Sequence, residues 1–173
     1  MRDAGFQSAL AAHHIALDLN VDGGRSIPNY VPHSGCVCTN GLTAASGDRA
    51  LIARDDAVVI ELGTNPPQDT SLMQTLLSRI RAANAHAPVF WVSLGSTGMS
   101  YSGYSTAELA ARNQLILHNA GPLHYTVIDW TKAVFGSDQV SGNDRSGYVS
   151  SDGIHPNTTG TRALINLVSG SLH

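Results

Sequence analysis

Asp152 and His155 have the types and spacing of an acid–imidazole pair, in the string Ser151-Asp152-Gly153-Ile154-His155-Pro156. A carboxylate beside an imidazole fixes its tautomer and stabilises the imidazolium formed when the ring takes a proton. A three-residue spacing lets both side chains reach one crevice where a loop enters a helix. Asp-x-x-His is short and common, however, and a capping Asp beside a surface His also accounts for it. Two further clusters carry groups suited to a developing negative charge. Asn65 ends Glu61-Leu62-Gly63-Thr64-Asn65-Pro66, where the proline biases it towards extended backbone. Its amide would then donate into a crevice and suit an oxyanion, or it would stabilise its own turn. Gly24, in Val21-Asp22-Gly23-Gly24-Arg25-Ser26, offers a backbone N–H at a tight turn, or the turn alone.

The elements that must position these groups follow from the apolar pattern. Three runs, 57–62, 89–94 and 125–130, are β-branched or aromatic and nearly continuous in apolar character. Strands covered on both faces look like this. A weaker strand is expected at 15–21. Leu72, Leu76, Ile80 and Ala83 recur at helical spacing, predicting a helix over 70–86. A second helix covers 106–119, with Leu109, Asn113 and Ile116 on one face. Asn113, set among apolar neighbours, needs buried partners and is expected to tie loop backbone together. A third runs from Pro156 to Val168, with proline in the first turn. The alternation implies one α/β domain with a parallel sheet. Two Gly/Ser-rich segments, 95–105 and 136–151, are not regular elements. In an open α/β sheet the loops after strands form the ligand crevice, so both are expected near the site.

Composition narrows the function classes. The 173 residues are 42% apolar and 13% charged, a globular composition able to bury a core. The net charge is −3 and no long basic run occurs, which argues against nucleic acid or an anionic membrane surface as partner. No apolar stretch reaches the ~20 residues of a membrane helix. The first residues show no signal-peptide core, so the chain as written would stay in the cytoplasm. Cys36 and Cys38, one residue apart, are poorly placed to bridge each other and are expected to be small buried side chains. No histidine spacing suggests a metal site, and no nucleotide-binding glycine loop is present.

Taken together and in order, the clusters resemble the SGNH (GDSL-like) hydrolases, and most closely the SGNH domains of peptidoglycan O-acetyltransferases. The resemblance rests on Gly24-Arg25, on 59–65 (VIELGTN), on 127–130 (VIDW) and on Asp152-Gly153-Ile154-His155, with Gly160 in the following helix. It spans residues 15–170. It implies a three-layer α/β/α, flavodoxin-like fold with a parallel sheet. It also implies His155 as general base, Asp152 as its orienting acid, and Gly24 N–H and the Asn65 amide as oxyanion donors. No metal or organic cofactor is implied.

One block of the family pattern is missing. Gly-Asp-Ser, which carries the nucleophile at the end of the first strand, occurs nowhere in the chain. Ser46-Gly47-Asp48-Arg49 is the nearest string, but it follows no strand and has the wrong residue after Asp48. The usual spacing back from Gly24 puts the serine at or before Met1. The absent strand would be a central one, and each orphaned backbone group costs roughly 1–3 kcal/mol against a domain stability of ~5–15 kcal/mol. An upstream segment, a rearranged 1–20 or a partner chain is therefore expected to complete the sheet. An upstream start would also leave room for export. Ser26, two residues past Gly24, is a weak candidate nucleophile and otherwise a turn or capping serine.

Two functions follow from the resemblance. The first is a serine esterase or O-acyltransferase acting on acyl esters, expected to be acetyl esters of a glycan, inactive as written for want of its nucleophile. The second is a pseudoenzyme that keeps the crevice and docks a glycan or partner.

Overall fold

The computed structural model describes residues 4–12, 14–18, 20, 25–29 and 39–173. The strongest apolar runs form its sheet: β1 (Val58–Ile60), β2 (Val89–Val92) and β3 (Thr126–Ile128). All pair in parallel in the order β1-β2-β3, with Val59 opposite Phe90 and Phe90 opposite Thr126. The expected strands are therefore present, each shorter than its apolar run. Residues beyond the ladder, such as Leu94, stay buried without pairing. In β2 Trp91 and Val92, which point to opposite faces, are both buried. A strand with helices on either side has this pattern. Among the described residues β1 has one strand neighbour, β2.

Seven helices surround the sheet among the described residues: α1 (Ala4–Ala11), α2 (Gly41–Gly47), α3 (Arg49–Ile52), α4 (Thr70–Ala83), α5 (Thr106–Asn119), α6 (Trp130–Phe135) and α7 (Thr158–Ser171). α4 begins at Asp69, whose carboxylate accepts the Leu72 N–H, and buries Met73, Leu76, Leu77 and Ile80. α5 begins with a capping box between Ser105 and Glu108, which satisfies backbone donors at both ends of the first turn. α2 and α3 pack on α4, and α7 packs on α1 and β3. The expected helices over 70–86 and 106–119 are α4 and α5. The third starts later than its proline. Asn157 caps α7 by accepting the Gly160 N–H, which leaves Pro156 outside, bridged to Val149.

Of the weak strand expected at 15–21, residues 19 and 21 lie outside the described residues, and the described residues 15–18 and 20 are irregular. Three of their polar groups bond elsewhere instead. Ile15 N–H returns to Leu10 at the end of α1, Asp18 pairs with Arg54, and the Asn20 amide reaches Asp48. The short helices α1, α2, α3 and α6 were not apparent from periodicity, because two turns or fewer carry little of it. No described helix is long and apolar enough to cross a membrane.

Candidate active site

The loop between Tyr148 and α7 brings Asp152 and His155 together. Asp152 Oδ2 lies 2.7 Å from His155 Nδ1, while Oδ1 accepts the backbone N–H of Ile154 (2.8 Å) and of His155 (3.0 Å). Burial alone would raise the Asp152 pKa. The hydrogen bonds from the His155 ring and from the two backbone groups outweigh it and hold the carboxyl at about 2. Asp152 is thus an anion that keeps the proton of His155 on Nδ1 and leaves Nε2 as the basic nitrogen. The imidazole is largely exposed, and among the described residues no hydroxyl hydrogen-bonds to Nε2.

The loop is fixed from below. Gly153 has φ +74°, and a Cβ there would come within 2.3 Å of the Gly98 carbonyl oxygen. That approach lets Gly98 N–H (3.1 Å) and Thr97 Oγ1 (3.3 Å) donate to Gly153 O, while Ser96 Oγ donates to Ile154 O (2.8 Å). The two Gly/Ser-rich segments therefore meet the acid–imidazole loop, as expected of them. Gly160 serves the same end in α7, where a Cβ would strike Tyr148 O at 2.2 Å. Tyr148 in turn stacks on Trp130 (5.6 Å between ring centroids), and Trp130 covers Gly95 at the end of β2.

Asn65 sits beyond β1. Its Nδ2 donates to Arg25 O (3.0 Å), and its Oδ1 accepts from Tyr104 Oη (2.7 Å). One Nδ2 hydrogen remains for a ligand. A cavity of about 40 Å³ opens between the ends of β1 and β2 and the acid–imidazole loop. Its lining includes Glu61 and Thr64 after β1, Ser93 and Trp130, and Ile154 and Pro156 on either side of His155, but neither Asn65 nor His155 itself. It has room for a water or a methyl-sized group. Glu61 is solvent-accessible in the crevice, yet the protein packed around it pushes its carboxyl pKa up, and the nearby His155 pulls it down.

The remaining residues singled out from the sequence are distributed as follows. Gly24 lies outside the described residues, as do Cys36 and Cys38. Ser26 is buried, and its hydroxyl is spent on its own turn, donating to Asn29 O (2.9 Å) and accepting from Asn29 N–H (3.1 Å). Ser93 and Ser96 are equally buried and engaged; Ser93 Oγ accepts from Thr131 N–H and bonds to Thr131 Oγ1. Asn113, fully buried, accepts Leu94 N–H (2.8 Å) and Thr131 Oγ1 (3.1 Å), and so ties the end of β2 to α6. Sequence reasoning passed over Tyr104 and Arg112. Tyr104 lies in a segment expected near the crevice, and Arg112 directly precedes the buried Asn113. Those positions were the available signals.

Comparison with known proteins bears on family and fold. Residues 3–163 match the family model of the GDSL-like lipase/acylhydrolases. Among solved structures, a peptidoglycan O-acetylesterase aligns with a TM-score of 0.55 at 20% identity, over 77% of this chain and 43% of that one. The likeness is one of fold, and this chain spans less than half of that protein. No curated protein matches significantly. The family match runs from just before α1 into α7 and takes in the sheet, the Asn65 turn and the acid–imidazole loop: this chain belongs to the GDSL-like lipase/acylhydrolase (SGNH) family.

Proposed function

We propose that this chain is the greater part of an acyl-ester hydrolase or O-acyltransferase site, with acetyl esters of a glycan as its substrate class. The observation that carries the reading is the 2.7 Å contact between anionic Asp152 and His155 Nδ1. In the reaction a serine hydroxyl attacks the acyl carbonyl while His155 Nε2 takes its proton. The Asn65 amide and the Gly24 N–H hold the oxyanion, and His155 returns the proton to the leaving oxygen. Water as second acceptor makes the reaction a hydrolysis; a sugar hydroxyl makes it a transfer. A fold likeness to a peptidoglycan O-acetylesterase supports the glycan half of the reading.

A second reading is a binding module with the same crevice. It draws on the missing Gly-Asp-Ser block and on the lack, among the described residues, of a hydroxyl at Nε2. Hydrolysis of a small chromogenic acetyl ester separates the two. The 173-residue chain is assayed beside its His155→Ala variant, both shown to be folded. We expect no turnover above the variant from this chain alone. Turnover that requires His155 would place a working nucleophile within it and remove the binding-module reading. Glycan binding without turnover would favour the module.

A further inference from the structure

Asn65 is held by a polar lattice that the acid–imidazole chemistry does not use. Its carboxamide is anchored at both ends. Arg25 O can only accept, so Nδ2 must face it, and the Tyr104 hydroxyl then donates to Oδ1. Tyr104 is itself placed by the residue before it. Gly103 N–H donates to both Glu108 carboxylate oxygens (3.0 Å each), and Gly103 O accepts from Arg112 Nη2 (2.6 Å). The same buried guanidinium donates through Nε to Gly63 O (2.8 Å) and through Nη2 to Thr64 O (3.0 Å). Arg112 therefore clamps the backbone just before Tyr104 to the backbone just before Asn65. Gly103, at φ +88°, also lies against Pro66, where a Cβ would meet Cγ at 3.2 Å. The clamp sets the gap that the tyrosine hydroxyl spans.

We infer that Tyr104 is a positioning residue: its hydroxyl, set by the Arg112 clamp, holds the Asn65 amide with one N–H free for an acyl oxyanion. The inference rests on the proposed role of Asn65. A freely turning carboxamide would present its oxygen to the anion part of the time, and a fixed one avoids that repulsion.

The test uses ¹⁵N-labelled 173-residue protein and acetate as the probe anion. Tyr104→Phe removes only the hydroxyl. Tyr101→Phe, at an exposed neighbouring tyrosine, is the control. In wild type and in Tyr101→Phe the Asn65 side-chain NH₂ should show the heteronuclear NOE of a rigid group and shift on acetate addition. In Tyr104→Phe that NOE should fall while the backbone spectrum stays folded, and acetate should bind roughly 3- to 10-fold more weakly, as loss of one hydrogen bond implies. An Asn65 NOE and acetate affinity unchanged in Tyr104→Phe overturn the inference. Absence of any acetate shift at Asn65 in wild type sinks the oxyanion role, while the NOE comparison still decides whether Tyr104 fixes the amide.

Discussion

Asp152 keeps its charge where an ordinary aspartate loses it. Its pKa is about 2 in the folded chain against an ordinary 3.8, so the unfolded state binds the proton more readily. The stability this contributes is complete above pH 3.8 and is lost as pH falls through about 2. The Tm gap between wild type and Asp152→Asn should therefore close as pH falls from about 4 towards 2. A gap that stays open at pH 2 would mean the carboxylate stabilises the loop by some other route. At this scale the sequence was partly legible. The Asp152–His155 pair was legible, and Asn65 could be singled out, because each is a polar residue at the mouth of an element, where side chains meet solvent. Tyr104 and Arg112 were not legible, because their roles depend on two loops meeting, and loop contact leaves no period in the chain.

The elements deliver these residues through a few buried polar contacts. Asn113 is the clearest case. One side-chain oxygen takes the Leu94 N–H at the end of β2 and the Thr131 hydroxyl of α6. Asn113→Leu keeps the branched shape but orphans a buried backbone donor, and should destabilise the fold by at least ~1–3 kcal/mol in urea unfolding. A change below ~0.5 kcal/mol would show that water or a shift of β2 satisfies Leu94 instead. Its structural role was readable in advance, since an asparagine on the apolar face of a helix must find buried partners. Helices α4 and α5 were readable for the same reason: each has three turns or more of apolar spacing and a polar cap. The described residues of the strand expected at 15–21 are irregular, although its alternation was fair. A strand needs a neighbour, and that requirement is settled far away in the chain.

At the scale of the molecule, a parallel sheet with three strands among the described residues carries the candidate site on loops beyond its strand ends, where α/β folds keep their ligands. This much followed from the apolar runs and their alternation with helices. The extent of the strands did not, since burial continues past the ladder at Leu94. The strands also stand in the sheet in the order in which they occur in the chain, β1-β2-β3, roughly thirty residues apart and each joined by a crossover that contains a helix. That arrangement has a consequence in time. Neither outer strand can pair until a loop of that length has closed, and β2 is the one partner both must find. β2 is then the last element to let go. Native-state hydrogen exchange should find the slowest sheet amides in Phe90–Val92, at the free energy of global unfolding, with β1 opening sooner. Should β1 prove as slow as β2, its outer side must be held by a further strand, and the sheet is wider than the three strands described.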